Sequence, residues 1–439
     1  MAHVTVLGAG LVAGPVVRHI LESSEHTVAV AARNVERAKA LVNGHPRGRA
    51  VSFDISDPAA LDRIVAESDV VVSMLPWTHH VAVADRCIAH KKHLVTTSYV
   101  SPAMKERHDA ARDAGVVILM ELGLDPGIDH MSAMKIIHGV RAAGGTVTSF
   151  RSYCGGLPAP EANDNPFGYK FSWSPRGVVL AARNAAKFLR DGAVVEIPGP
   201  ELFAKPEIVT VEGAGSFEGY PNRDSLSYIA TYGLDGVKSM FRGTLRNLTH
   251  CETWKAMADL GLYDDAARSY PAGTFRDVMA SLVGVSADSD VEGAVAAKAH
   301  VAANSLPIQK LTWLGMFERA ALPEESISPL DALVARMVEK LQYSAGERDM
   351  IVLQHEFVAE YADRTEHIRS TLVDFGVPNG ETSMSRTVGL PAAIGVLRVL
   401  DGTINTPGVV VPVAPTVYEP ILAELESLGI RFREEVTVA

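Results

Sequence analysis

Residues 4–14 read Val-Thr-Val-Leu-Gly8-Ala9-Gly10-Leu11-Val-Ala13-Gly14, an apolar β-branched run that breaks into glycines and resumes at helical spacing to about Ser23. A strand, a tight turn and a helix in that order constrain the fold more than any other feature, because they call for a crossover that returns to a parallel strand. Gly8 permits the tight turn, Gly10 lets a pyrophosphate approach the backbone, and Ala13 is small enough for close helix–strand packing. The helix N-terminus offers unpaired N–H groups and partial positive charge to phosphates. Pro15 falls near the first turn, where a missing N–H costs little. The glycines and Pro15 make this stretch a strand–turn–helix rather than a signal peptide. The expectation is a dinucleotide site, against the plainer reading of a glycine turn that binds nothing.

Strand-like runs continue at Thr27–Ala31, Val51–Asp54, Asp69–Leu75, His93–Thr97 and Val116–Met120, with helical patterns at Leu11–Ser23, Val35–Val42, Pro58–Ala66, His79–His90 and Ser101–Ala114. Such alternation predicts an α/β Rossmann domain, a doubly wound parallel sheet. Where an NAD-preferring site ends its second strand with Asp or Glu, this chain has Ala32-Arg33-Asn34. A guanidinium pairs with a 2′-phosphate that a carboxylate would repel, so NADP is expected, with Arg37 one turn on in support. The plainer reading of Arg33 is an exposed helix-start arginine. Ligands sit at the carboxyl ends of parallel strands, so Asp54-Ile55, Leu75-Pro76 and Thr97-Ser98 are expected to line the groove.

Beyond residue 125 the pattern changes. Turn-rich segments at Cys154–Pro160, Asn163–Gly168, Pro198–Pro200 and Gly213–Arg223 separate strand-like stretches from one helical pattern, Ser174–Arg190. Helical spacing dominates from Thr253 to Leu341, strands return at Asp349–Glu360 and Thr365–Phe375, and helices at Leu390–Asp401 and Val417–Gly429. The predicted organisation is a nucleotide-binding domain (1–125 and 386–439), an α+β mixed-sheet substrate-binding and dimerisation domain (126–250 and 346–385), and an all-helical insertion (251–345).

The formal net charge is −11, with no Lys/Arg-rich block, which argues against nucleic acid or an anionic membrane as partner. No run of eighteen apolar residues predicts a membrane span. Three well-separated cysteines, Cys87, Cys154 and Cys251, fit a reducing, cytoplasmic setting and neither a disulfide framework nor a cysteine zinc site. No pair of histidines with an intervening glutamate has zinc spacing, so no metal is expected. Gly213-Ala-Gly-Ser-Phe217 lacks the closing glycine of a nucleophile elbow.

Several longer segments carry a resemblance: His93–Met104 (HLVTTSYVSPAM), Glu121–His130 (ELGLDPGIDH), Ser152–Glu161 (SYCGGLPAPE), Asn165–Ser174 (NPFGYKFSWS), Tyr220–Ser225 (YPNRDS), Arg242–Arg246 (RGTLR), Gly346–Met350 (GERDM) and Leu400–Thr403. Together the sequence resembles the saccharopine reductases, the NADP-dependent, glutamate-forming saccharopine dehydrogenases of lysine metabolism, from the first strand to the C-terminus. The resemblance implies the three-part fold above, usually in a homodimer. It also implies reduction by NADPH of the imine formed between 2-aminoadipate 6-semialdehyde and glutamate, giving saccharopine, or the reverse.

Carried over residue by residue, it assigns Gly8, Ala9, Gly10 and Leu11 to the phosphate turn and Arg33, between Ala32 and Asn34, to the 2′-phosphate. Asp54 and Ile55 go to the adenine side. Leu75, Thr97, Ser98, Leu124 and Ser174 line the cofactor. Ser98, Tyr99 and Asp125 face the reacting end of the substrate, while Arg223, Arg242, Gly243 and Thr244 grip its carboxylates. NAD-using catabolic relatives carry an aspartate near position 33, so Arg33 sides with the NADP branch. Gly380–Ser385 departs from the family's Gly-rich Ser-Ala-Met.

A substrate with three carboxylates needs guanidinium or N–H donors, and Arg223, Arg242 and Arg246 lie on turn-flanked segments that fit. Taken singly, each is as readily a surface ion pair, and Asp125-Pro-Gly a self-capped turn. Iminium formation requires proton shuttling, for which Tyr99, Asp125, Cys154 and His79 are candidates, without a ranking. Cys154 stands beside Gly155-Gly156, which would let its sulfur approach substrate; a packed core thiol is the alternative. Two other functions are consistent with the first domain: an imine reductase for a polyamine precursor of the carboxynorspermidine type, and a non-catalytic NADP-sensing protein. The Arg223/Arg242 pair speaks against the first and the polar segments over 120–246 against the second.

Overall fold

A computed structural model describes residues 1–439, and the chain divides into two compact units, 1–146 with 380–432 and 147–379 with 433–439.

The first unit opens with β1 (His3–Leu7), α1 (Gly14–Ser23), β2 (Thr27–Ala32), α2 (Val35–Val42), β3 (Gly48–Ser52), α3 (Pro58–Ala66), β4 (Val70–Ser73), α4 (His80–Ala89) and β5 (His93–Thr96). It continues through α5 (Pro102–Lys105), α6 (His108–Asp113), β6 (Val117–Leu119) and α7 (Ile128–Ala142). The seven-stranded parallel sheet runs β3-β2-β1-β4-β5-β6, closed by the strand Gly408–Val410 beside β6. Valine-rich β2 and β4 are buried along nearly their whole length, as strands covered on both faces must be. Helix α1 packs on α2 and on the helix Ser383–Leu400, which packs on Pro415–Ser427 and through it reaches α7; α3 and α4 pack together, and α4 on α5. Glycine at 389 is what allows the contact between α1 and the helix Ser383–Leu400. A Cβ there would lie 3.0 Å from the Val12 carbonyl oxygen and 3.1 Å from Pro15.

In the second unit a mixed sheet runs in the order Glu207–Val211, Gly215–Pro221, Ser239–Arg246, Thr146–Pro158, Asp349–Glu360, Thr365–Phe375, Arg433–Val438. Ser239–Arg246 is parallel to Thr146–Pro158, whereas Asp349–Glu360 and Thr365–Phe375 form a long antiparallel hairpin. Five longer helices, His250–Leu260, Phe275–Val283, Val291–Lys298, Leu306–Leu314 and Pro329–Lys340, follow the strand Ser239–Arg246 in the chain.

Several expectations are corrected. The pattern predicted as one helix over 174–190 splits into a helix, Pro175–Ala181, and a strand, Ala186–Arg190, hairpinned to Ala193–Ile197. Asp191 (φ 49°) and Gly192 (φ 80°) make the turn, and Asp-Gly is a strong hairpin signal that the helical spacing masked. Cys154–Pro160 and Gly213–Arg223, read as turns, largely join the strands Thr146–Pro158 and Gly215–Pro221. Their glycines are there for close strand approach: a Cβ at Gly155 would sit 2.7 Å from the Leu245 carbonyl oxygen. The third strand begins three residues before the expected Val51, and the C-terminal helix expected from Leu390 starts at Ser383 and carries Pro391 inside it. The expected helix Ser101–Ala114 is two short helices, α5 and α6.

The unit boundaries also differ. Helix α7 belongs with the parallel sheet, and the final strand Arg433–Val438 leaves the first unit to pair with Thr365–Phe375. The helical stretch does not form a third unit. One buried cluster joins Phe167, Tyr169 and Phe171 to Trp254, Met257, Leu311 and Leu333, so its helices share a core with the sheet's loops. No helix is long and apolar enough to cross a membrane.

Candidate active site

Because the sheet of the first unit is parallel throughout, every strand delivers its following loop to one edge. In spatial order from one side, that edge carries Asp54 and Ile55 after β3, Ala32–Asn34 after β2, Gly8–Leu11 after β1, Leu75 after β4, Thr97–Tyr99 after β5, and Leu124 and Asp125 after β6. The fold thus gathers the first-unit candidates into a single row.

The turn after β1 is built around Gly8. Its φ of 106° is a conformation that other L-residues avoid, and its N–H donates to the Ala31 carbonyl oxygen at 2.8 Å. Gly10 is different: an added Cβ would meet no protein atom within 4 Å. Neither strain nor packing calls for glycine there, which leaves room for a ligand to lie on the backbone. Helix α1 begins beside it with no side-chain cap on its first turn, so those N–H groups remain available to an anion.

After β2, Ala32 is buried and Asn34 accepts from the Arg37 backbone N–H at 3.1 Å, capping α2. Arg33 and Arg37 are exposed and neither makes an ion pair, unlike most arginines on this surface. After β3, Asp54 accepts from the N–H and hydroxyl of Ser56, both at 2.9 Å. Those bonds, and at longer range Arg33, hold its carboxyl below the usual range. A strand end with two free guanidiniums and no free-standing acid matches a dinucleotide carrying a 2′-phosphate.

At the other end of the row, the Tyr99 hydroxyl donates to Asp125 Oδ1 at 2.7 Å. Two groups that sequence reasoning did not single out tie down the segments on either side of this pair. The first is His80, which is buried, while its neighbour His79, the residue proposed from sequence, is a half-buried helix-start residue. His80 Nδ1 lies 3.0 Å from Ser73 Oγ, and Nε2 lies 2.8 Å from Ser98 Oγ and 3.3 Å from Thr96 Oγ1. The ring therefore fixes Ser98 between β4 and β5.

Burial pushes the His80 pKa down to about 4 from 6.5. A histidine with a depressed folded pKa takes up its proton more readily when unfolded, so its share of stability is intact above pH 6.5 and is lost as pH falls toward 4. The difference corresponds to about 3 kcal/mol across that window. Denaturant unfolding at pH 7 and pH 5 should show this acid sensitivity in the natural chain and a shallower one in His80→Gln. Equal slopes would remove His80 as its source.

The second group is a buried trio. Glu121 sits just past β6 in the left-handed region (φ 58°), which is rare and strained for a non-glycine residue. Its N–H donates to the Ser98 carbonyl oxygen (3.1 Å), and its Oε1 accepts from the Val100 N–H (2.8 Å). Its Oε2 lies 2.8 Å from His130 Nε2, and His130 Nδ1 lies 3.7 Å from Asp129 Oδ2. Asp129 Oδ1 in turn accepts from the Gly127 N–H at 2.6 Å. The segment bearing Ser98 and Tyr99 is thereby tied to the loop bearing Leu124 and Asp125. A sequence signal existed: a carboxylate straight after an apolar strand, and an Asp-His pair inside the apolar start of α7.

In the second unit, Arg242 is buried with its guanidinium over the Tyr228 ring at 4.3 Å, and its N–H donates to Ser225 Oγ at 2.9 Å. Thr244 follows on the same strand face and pairs in register with Cys154, which is buried. Gly243 points the other way, where a Cβ would lie 2.6 Å from the Phe241 ring, so packing accounts for its lack of a side chain. Arg223 is exposed, at φ 54°, one residue past Asn222, whose N–H donates to the Arg242 carbonyl oxygen at 2.8 Å. Ser174 caps the helix Pro175–Ala181, accepting from the Gly177 N–H at 3.3 Å. Arg242, Thr244, Cys154 and Arg223 are therefore neighbours, and Ser174 serves a helix start. No group of three or more His, Cys, Asp or Glu side chains is arranged to hold a metal ion.

Comparison with known proteins agrees with both halves. Residues 4–119 match the saccharopine dehydrogenase NADP binding domain, and residues 123–430 match the saccharopine dehydrogenase C-terminal domain. The chain is 40% identical to the NADP(+), L-glutamate-forming saccharopine dehydrogenase of Schizosaccharomyces pombe, over 99% of both sequences. It is 42% identical to that of Pyricularia oryzae, over 99% of this chain and 98% of the relative. The solved apo structure of saccharopine dehydrogenase (L-Glu forming) from Saccharomyces cerevisiae superposes with a TM-score of 0.89 at 40% identity, covering 100% of each chain.

Proposed function

The chain belongs to the saccharopine dehydrogenase family, and from that premise we propose that it interconverts L-saccharopine with 2-aminoadipate 6-semialdehyde and L-glutamate in lysine metabolism. It is an NADP-dependent oxidoreductase acting on a C–N bond. The observation that carries the reading is the end-to-end match with NADP-dependent, glutamate-forming relatives, through both units. Arg33 in place of an acid agrees with the cofactor.

When bound, NADP(H) accepts or supplies a hydride at the nicotinamide. In the oxidative direction a C–H bond of saccharopine breaks, its electron pair leaves as hydride, and the C–N bond becomes an iminium. Water adds to that carbon, a proton is lost, and the C–N bond breaks to release aldehyde and glutamate. In this scheme Arg223 and Arg242 bind substrate carboxylates, and Asp125 pairs with its ammonium. The Tyr99–Asp125 hydrogen bond supplies a hydroxyl and a carboxylate that move protons to and from the adding water, with Cys154 a further candidate.

The test is purified protein with saccharopine and NADP⁺ at alkaline pH, where release of a proton favours oxidation. NADPH absorbance should rise, with glutamate and semialdehyde formed in equal amounts. No absorbance change with saccharopine would sink the reading. The proposal extends to a cytoplasmic homodimer, which light scattering of the purified protein tests by a mass twice that of the chain.

A further inference from the structure

Segments that carried the family resemblance converge, within the second unit, on one side chain that the reading above does not use. Arg242, Thr244 and Arg246 alternate along one strand and face the same side, so Arg246 ends a row that begins with Arg242. Arg246 is only 8% exposed, and its guanidinium lies over the Tyr169 ring at 5.1 Å. Tyr220, Cys154, Cys251 and Tyr343 are close enough to feel its charge.

What sets Arg246 apart is its missing counter-ion. Its Nη1 donates to the Leu245 carbonyl oxygen at 2.8 Å, its buried Nε has no hydrogen-bond partner, and it forms no ion pair with a carboxylate. Three other buried cations of this unit, Lys170, Arg336 and Lys310, each have charged or hydrogen-bonding partners. Lys170 Nζ lies 2.8 Å from Asp164 and 2.7 Å from Glu347, and Arg336 reaches Glu318 at 2.8 Å and Glu339 at 2.9 Å. Lys310 donates to the Thr249 carbonyl and hydroxyl oxygens, and its pKa is pushed down to about 8 by burial.

An arginine has no such outlet, because it stays protonated. Glu218, its partner in register, is already committed: its two oxygens accept from the Thr249 and Cys251 N–H groups at 2.9 and 2.7 Å, capping the helix His250–Leu260. The Tyr343 hydroxyl is also buried without a partner. A permanent positive charge held out of water with unfilled donors nearby is a place prepared for an anion.

We infer that Arg246, assisted by the Tyr343 hydroxyl, is an anchor for one carboxylate of the amino-acid substrate, separate from the grip assigned to Arg242 and Arg223. The inference rests on the reaction proposed above for the identity of that substrate. Arg242 and Arg246 stand about 13 Å apart along the strand, so the two hold separate points of an extended polycarboxylate. A short monocarboxylate would reach only one of them.

Three variants test it. Arg246→Lys keeps the charge but loses the bidentate fork, and should raise the KM for saccharopine about 10-fold. Arg246→Gln should raise it about 100-fold, and Tyr343→Phe about 5-fold, each with NADPH affinity unchanged. A KM within twofold of the natural chain's in Tyr343→Phe and in either Arg246 variant overturns the anchor, as does a loss confined to thermal stability. The natural chain's own turnover separates the two ideas: no oxidation of saccharopine removes the reaction, whereas oxidation with a silent Arg246 removes the anchor. Calorimetric titration with glutarate, a plain dicarboxylate, reads the anchor without turnover. Binding to the natural chain that Arg246→Gln abolishes supports it, and binding unaffected by Arg246→Gln, or none at all, overturns it.

Discussion

Arg33→Asp is expected to raise the dissociation constant for NADPH about 100-fold while leaving that for NADH within a few-fold of its starting value. The two cofactors differ at one position, and Arg33 stands at the end of β2 where that position is read, exposed and without an ion pair to compete for it. A bidentate guanidinium–phosphate pair contributes about 1.5–3 kcal/mol, and an aspartate replaces it with repulsion. Asn34 continues to cap α2 in the variant, so the local helix start is kept. Fluorescence titration with each reduced cofactor measures both constants. Equal weakening of NADPH and NADH would mean that the substitution damages the groove, and the 2′-phosphate assignment would fall.

Glu121→Ala should destabilise the chain by about 2 kcal/mol, the scale for leaving a buried hydrogen-bond donor without its acceptor, and should lower turnover more than it changes cofactor affinity. The alanine keeps the strained left-handed backbone but deletes the acceptor for Val100 and the carboxylate beside His130. Both contacts tie the Tyr99 segment to the Asp125 loop, so their loss should let that pair drift. Glu121→Gln keeps an acceptor for the Val100 N–H and should recover part of the stability and of the turnover. Urea denaturation with steady-state kinetics on both variants decides the matter. An alanine variant as stable and as fast as the natural chain would show that the trio positions nothing.

The legibility of the fold followed the range of the interactions. The six strands of the first sheet and all but one of the intervening helices were readable because turn chemistry and apolar period act over a few residues. Helices α2 and α3, Val35–Val42 and Pro58–Ala66, coincide with their sequence patterns because Asn34 and Asp57 cap them locally. The stretch 174–190 differs from its pattern because apolar spacing alone does not distinguish a helix from a helix followed by a short strand. Pro391 lies inside a helix that the pattern would start near it, since the turn before it is buried against α1.

The site divided along the same line. That the Gly8–Leu11 turn, Arg33 and the Tyr99 and Asp125 segments share one edge was accessible because each is a short motif at a strand end, and a parallel sheet sends all such ends to one edge. His80, the Glu121 trio and the isolation of Arg246 were not, because what defines them is burial and the presence or absence of a partner tens of residues away. By itself the sequence determined the nucleotide-binding topology, the cofactor's charge preference and the family. Only the tertiary structure decided which histidine holds Ser98, which carboxylate ties the Tyr99 segment to the Asp125 loop, and which guanidinium is left without a counter-ion. Charge compensation is a property of three-dimensional neighbours, and linear spacing carries no record of it.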